Sequence, residues 1–331
     1  MSITHFDPTW RDDVFDVQAL ETPIVLPDST SRSDHVWIKK HVTCHETIFE
    51  HYHVYDTFRE ITTVLKHSDM AQFYRATDEH GNELPAGHVA FDYMFPPKAW
   101  MSDMGEERCT MFNAAKLAKG NVLVGGLGLA VYPQFALALN RPVESFTIIE
   151  RDTDIIDFVT QAWLHTNPEH AKKTTIIEGT IEKYLHDTEK SFDTIYLDTW
   201  EDADPRFLAH VNYLIQLASQ RCTADGMIQC WGYSRMIETF VSNMIIMTKK
   251  NFPWHLYNLD PVLHGFVEWL NAQEHDPTEL EIIQNARTCA LTIRKSIEEY
   301  DRHRCFTAFG TSLSEAYRNM ALARKVEPST T

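Results

Sequence analysis

The chain has 331 residues, 44% hydrophobic and 23% charged, a balance that supports one substantial core with a smaller satellite and excludes fibrous and intrinsically disordered classes. Lys and Arg total 30 against 47 for Asp and Glu; the formal charge of -17 repels a phosphate backbone, argues against nucleic acid as a partner, and suits a cationic or zwitterionic small molecule. The six cysteines are scattered without CxxC pairs, no charged-then-apolar leader is visible, and no apolar run reaches the roughly 18 to 20 residues that cross a bilayer. The expectation is a cytoplasmic protein with reduced thiols and no membrane partner.

Residues 1–95 alternate short β-prone runs with polar turns: Val36-Trp37-Ile38, Ile61 to Leu65, and Ala71 to Tyr74 ahead of the turn Glu79-His80-Gly81-Asn82-Glu83. They predict a small N-terminal β-containing region, of use as a lid or a dimer surface. Pro96-Pro97 breaks the chain, and Asp103 with Glu106 three residues on predicts a capping-box start to a helix that runs to about Ala118 and stops at Lys119-Gly120. Over residues 96–260 short apolar strands then recur between helices: Val122 to Val124, Phe146 to Ile149, Thr174 to Ile177, Thr194 to Leu197 and Met227 to Trp231. Strands in this rhythm predict βαβ units and an α/β, doubly wound, mostly parallel sheet. Residues 261–331 read as a helical C-terminal segment, with Thr278 to Ala290 and Ile293 to Tyr300 on helical spacing.

The strongest local signal is Val122-Leu123-Val124-Gly125-Gly126-Leu127-Gly128-Leu129-Ala130, a buried strand running into a glycine-rich turn that opens a helix. Glycines let a ligand approach the backbone, and a helix N-terminus offers free amides. The full dinucleotide fingerprint is absent, since Val131 stands where its last glycine would be. Ile148-Ile149-Glu150 then places an acid at the end of the next strand, where a carboxylate can accept both ribose hydroxyls of a nucleoside lying over the turn. Two further strand ends follow: Ile176-Ile177-Glu178-Gly179-Thr180, where an adenine edge can be read, and Phe192-Asp193-Thr194-Ile195-Tyr196-Leu197-Asp198-Thr199-Trp200, with Asp198 facing the crevice.

This ordered set resembles the class I S-adenosylmethionine (SAM)-dependent methyltransferases, with a Rossmann-like fold, and within them it looks most like the spermidine-synthase-like branch, whose corresponding run is Phe-Asp-x-Ile-x-x-Asp. The resemblance covers about residues 100–235. It implies that Gly125, Gly126 and Gly128 approach the methionine part of SAM, that Glu150 holds the ribose, and that Gly179 and Thr180 lie at the adenine, with Asp198 also at the cofactor. Two positions depart from the family pattern: Thr180 stands where an acid is usual, and the branch's paired aspartates become Asp198 and Glu201, which speaks against aminopropyl transfer to a polyamine.

Aromatic candidates around the crevice are Trp100 near Asp103, Trp200 beside Glu201 and Asp202, and Cys230-Trp231-Gly232-Tyr233. An aromatic face stabilises a sulfonium by cation–π attraction, and Trp200 directly follows the motif strand. His51, His53 and Tyr55 would share a strand face, but no third ligand is fixed by spacing, and no metal is expected. SAM carries three carbons on one sulfonium, so positioning of the nucleophile decides the product. The resemblance implies methyl transfer to a small polar acceptor, with Asp198, Glu201 or Tyr233 orienting the acceptor or taking its proton and Trp200 at the sulfonium. Azetidine-2-carboxylate synthases also look like methyltransferases, and intramolecular cyclisation of SAM with release of methylthioadenosine stays open; a non-catalytic SAM sensor is the third reading. The only partner expected is the small-molecule substrate, with a homodimer left open.

Overall fold

The structure is a computed structural model that describes residues 16–33, 36–49, 52–66, 98–200, 203–249 and 261–293. It divides into two compact units: Met1–Glu201 with Leu217–Trp231, and Asp202–Gln216 with Gly232–Thr331.

In the first unit a short helix α1 (Gln18–Glu21) precedes two long β-prone stretches, β1 (Val36–Phe49) and β2 (Tyr52–Lys66), which pair antiparallel. A third strand, β3 (Lys98–Ser102), pairs with β2 to give a three-stranded sheet in the order β1-β2-β3. Val36-Trp37-Ile38 and Ile61 to Leu65 fall in β1 and β2 as expected; Ala71 to Tyr74, the turn at Glu79 to Glu83 and Pro96-Pro97 lie outside the described residues.

Helix α2 (Gly105–Ala115) follows, but not through the expected capping box: the residue at its N-terminus is Met104, which makes no side-chain cap. Asp103 is drawn elsewhere. It is 2% exposed, accepts the Thr62 amide at 2.6 Å and lies 3.7 Å from Arg108. A buried carboxylate needs a charge partner and amide donors more than a helix end needs a cap. Glu106 and Glu107 still occupy the first turn, where negative charge suits the helix dipole.

The predicted βαβ rhythm becomes a five-stranded parallel sheet. Its strands are β4 (Gly120–Gly125), β5 (Val143–Glu150), β6 (Thr174–Glu178), β7 (Phe192–Leu197) and β8 (Cys222–Cys230), in the spatial order β6-β5-β4-β7-β8. Every neighbouring pair is parallel. Helices α3 (Val131–Ala138), α4 (Thr153–Val159), α5 (Pro168–Lys173), α6 (Ile181–Asp187) and α7 (Leu208–Ser219) provide the connections. The architecture is the α/β, Rossmann-like, doubly wound sheet expected. The chain moves outward from β4 through β5 to β6 and then returns to β7, so the direction reverses between β4 and β7, the point at which such sheets open a crevice at their carboxyl ends.

The core of this unit is aromatic and closely fitted. Tyr132 stacks on Tyr196 with centroids 4.1 Å apart, and Phe112 meets Phe135 edge-on at 5.1 Å. Polar side chains hold the N-terminal segment on this core. The Gln134 amide copies a strand partner, accepting the Val25 amide at 2.7 Å and donating to the Val25 carbonyl at 2.9 Å. Arg108, 4% exposed, donates through Nε to the Ala19 carbonyl at 2.8 Å, donates also to the Thr22 carbonyl, and lies over the Phe135 ring.

The described residues of the second unit are mainly helical, and the unit draws on Asp202–Gln216 as well as Gly232–Thr331, a wider span than the expected segment 261–331. It includes α8 (Tyr233–Lys249), α9 (Pro261–Asn271) and α10 (Glu279–Thr292). Thr278 and Glu281 form a complete capping box at the start of α10, and the Asn212 side chain donates to the Ala290 and Ile293 carbonyls at 2.8 and 2.9 Å at its end. The stretch Ile293 to Tyr300 continues beyond the described residues after Ile293. Among the described residues no helix is long and apolar enough to cross a membrane.

Arg108→Ala removes the guanidinium beside buried Asp103 and the donor to the Ala19 and Thr22 carbonyls. It is expected to lower the unfolding free energy by about 3 to 5 kcal/mol in urea titrations; a loss below about 1 kcal/mol would contradict the pairing described.

Candidate functional site

The site is built at the carboxyl ends of β5, β4 and β7. The glycine turn after β4 is fastened to both neighbouring strands: the Gly126 amide donates to the Ile149 carbonyl at 2.8 Å, and the Gly125 carbonyl accepts the Asp198 amide at 2.8 Å. Gly126 has φ +94°, and a Cβ there would stand 2.1 Å from the Asp198 carbonyl oxygen. Gly128 has φ +48°, and its Cβ would stand 2.1 Å from the Met101 sulfur. Gly126 demands glycine on conformation and on space, because its neighbour is backbone; Gly128 demands it on conformation, its neighbour being the flexible Met101 side chain. Ala130 accepts a left-handed φ of +55° to turn the chain into α3.

Glu150 closes the turn from the side of β5. Its Oε2 accepts the Leu127 amide at 2.9 Å, and its Oε1 accepts the Arg151 and Asp152 amides at 2.9 and 3.0 Å. The carboxylate is thus held over the turn by three backbone donors. Beside it the Gly179 amide donates to the Glu150 carbonyl at 2.8 Å, and a Cβ on Gly179 would meet nothing within 4 Å, so this end of β6 opens onto space. Thr180 is the N-cap of α6, its hydroxyl accepting the Lys183 amide at 3.4 Å.

Asp198 and Thr199 leave β7 half-buried, and Trp200 is buried at 4% exposure. Thr199 lies against Gly126, its methyl 3.6 Å from where a Cβ would stand. On the adjacent strand exit the Trp231 amide donates to the Leu197 carbonyl at 3.0 Å. Thr199 Oγ1, Trp200 Nε1 and Trp231 Nε1 are all buried without a hydrogen-bond partner among the described residues. Glu201 and Asp202 lie outside the described residues, as do the side chains of His51, His53 and Tyr55. Tyr233 belongs to the second unit, where it is buried and its hydroxyl donates to Asn212 Oδ1. Gly125, Gly126, Gly128, Glu150, Gly179, Thr180, Asp198 and Trp200 therefore share one unit, and Tyr233 stands in the other.

Sequence reasoning missed what β3 contributes. The Met101 sulfur accepts the Leu129 amide at 2.8 Å in the glycine turn, and the Arg151 guanidinium lies 5.8 Å from the Trp100 ring centroid. Trp100 was a candidate, but its partner was not visible in the spacing. Behind β3, the Ser102 amide and hydroxyl donate to Glu107 Oε2, the hydroxyl at 2.7 Å. Burial pushes the Glu107 carboxyl up from the ordinary value near 4.5 to about 7, helped by the charges of Glu106 and Asp103 and opposed by the two Ser102 bonds.

No protein-family model matches this chain, and no curated protein matches it in sequence. Solved structures resemble it at low identity. An SAH-bound methyltransferase of Podospora anserina is 16% identical with a TM-score of 0.33, over 69% of this chain and 74% of its own. The precorrin-6y C5,15-methyltransferase of Geobacter metallireducens is 16% identical with a TM-score of 0.31, over 42% and 69%. A spermidine synthase bound to the transition-state analogue AdoDATO is 17% identical with a TM-score of 0.27, over 39% and 46%. Likeness at this level carries nothing about reaction or substrate.

Glu107 sets a pH dependence. The folded protein keeps the proton that the unfolded chain releases near pH 4.5, so the stabilisation is complete below that value and is lost as pH rises through about 7. Urea unfolding between about pH 5 and about pH 7.5 is expected to show stability falling with pH in the wild type and a flatter profile in Glu107→Gln. Parallel profiles would contradict the assignment.

Proposed function

We propose that the crevice at the carboxyl ends of β5, β4 and β7 binds S-adenosylmethionine and that the chain transfers its methyl group to a small polar acceptor. The observation that carries the reading is the Glu150 carboxylate, oriented by three backbone amides at the mouth of a turn with two left-handed glycines, of which Gly126 leaves no room for a side chain against the Asp198 carbonyl. A carboxylate offers about four acceptor positions. The amides take three, which leaves one on Oε2 for a ribose hydroxyl; a second hydroxyl would have to displace Leu127. The open space at Gly179 fits an adenine, and the formal charge of -17 favours a sulfonium cation.

In this reading a lone pair of the acceptor attacks the methyl carbon in line with the sulfur. The methyl–sulfur bond breaks with its electron pair going to sulfur, which leaves a neutral thioether, and the acceptor's proton passes to Asp198 or to water. The glycine turn and Glu150 hold the nucleoside, and Asp198 stands at the next strand end toward the acceptor.

Purified protein incubated with SAM, with and without a small-molecule extract, tests the reaction by mass spectrometry. S-adenosylhomocysteine forming only with extract is expected. Methylthioadenosine with equimolar azetidine-2-carboxylate from SAM alone would replace methyl transfer with ring closure, in which the SAM amine attacks its own γ-carbon. In calorimetric titrations Glu150→Ala is expected to weaken SAM binding about 10- to 100-fold, the loss of a charge-assisted hydrogen bond; unchanged affinity would overturn the ribose assignment.

A further inference from the structure

We propose that Met101 is a specificity-determining residue: its side chain takes an amide and the space in the glycine turn that a nucleotide phosphate would use, and so reserves the site for unphosphorylated nucleosides. The inference rests on the nucleoside reading above and deepens it. Glycine-rich turns between a strand and a helix hold phosphates by aiming several backbone amides at one anion, which comes close where side chains are missing. Here most of those amides are spent inside the protein. From Gly126 to Ala130, four of the five have internal acceptors: Gly126 donates to the Ile149 carbonyl, Leu127 to Glu150 Oε2, Leu129 to the Met101 sulfur at 2.8 Å, and Ala130 to the Leu127 carbonyl. Helix α3 has one donor fewer to add, because Pro133 at its third position has no N–H.

The room that Gly128 opens is filled in the same way. A Cβ there would stand 2.1 Å from the Met101 sulfur and 3.0 Å from its methyl carbon, so this side chain, rather than a ligand, lies on the bare Cα. A thioether sulfur is a weak acceptor and a phosphate oxygen a strong one, so the sulfur holds the Leu129 amide by placement. The backbone behind it is fixed: Met101 pairs with Val64 in the β2–β3 ladder, and the Ser102 hydroxyl next to it donates to Glu107 Oε2 at 2.7 Å. Charge acts in the same sense. The Glu150 carboxylate, bonded to the Leu127 amide, is an anion at the mouth of the turn and would repel a phosphate placed there. A neutral or cationic group on the adenosine, such as a sulfonium, meets no such opposition and needs none of the amides that are taken.

The test is calorimetric titration of the full chain with adenosine, SAM and ADP; ADP carries phosphate at the 5′ position where SAM carries its sulfonium. The wild type is expected to bind adenosine at least about 10-fold tighter than ADP. Met101→Ala, which opens both the Leu129 amide and the space over Gly128, is expected to cut that ratio to about twofold or below. Met101→Leu, which restores the bulk, is expected to restore most of it. Wild-type protein that binds ADP as tightly as adenosine overturns the assignment. So does a Met101→Ala ratio equal to the wild type's, which is what a merely structural side chain would give. Should Met101→Ala fail to fold, Met101→Val, better suited to a strand, supplies the same comparison. Wild-type protein that binds neither adenosine nor SAM overturns the nucleoside reading, and this proposal with it.

Discussion

The carboxylate of Glu150, bonded to the amides of Leu127, Arg151 and Asp152, is the interaction on which the rest of the site depends. It ties the end of β5 to the turn after β4 through a side chain, at the place where the parallel ladder runs out of backbone partners. The Gly126 amide and the Gly125 carbonyl add one bond to each neighbouring strand, at 2.8 Å in both cases. A turn anchored on three sides keeps its remaining amides in place before a ligand arrives, and such preorganisation lowers the ordering cost of binding.

The N-terminal part of the first unit is fitted to the same turn. Met101 of β3 sets its sulfur against Gly128 and the Leu129 amide, so the bulk of one side chain and the absence of another are complementary. Asp103 and Arg108 anchor the chain just beyond β3 with a buried charge pair, and Gln134 on α3 holds Val25 as a strand would. These contacts are polar groups used where geometry is exacting, set into an apolar core that accounts for most of the burial.

The parallel sheet was legible because each of its strands is a short apolar run with turn residues on both sides, and Val122 to Val124, Phe146 to Ile149 and Thr194 to Leu197 fall inside β4, β5 and β7. The glycine turn and Glu150 were legible because their spacing follows from the strand-turn-helix geometry itself. Asp103 was misread because the capping pattern is local, whereas its partners Thr62 and Arg108 are set by tertiary packing. The role of Met101 and the unpartnered nitrogens of Trp200 and Trp231 have no sequence signal: each depends on what the folded chain brings near, or fails to bring near, a side chain. Thr180 carried a readable signal, since a Thr before Ile181-Glu182-Lys183 suits a helix N-cap, the place the structure gives it.

A crystal structure of the protein grown with S-adenosylhomocysteine tests most directly whether a nucleoside ribose sits at Glu150. The expected result is a ribose hydroxyl within hydrogen-bond distance of Glu150 Oε2 and the adenine beside Gly179. A nucleoside bound elsewhere, with the Glu150 carboxylate touching only backbone amides, would contradict it.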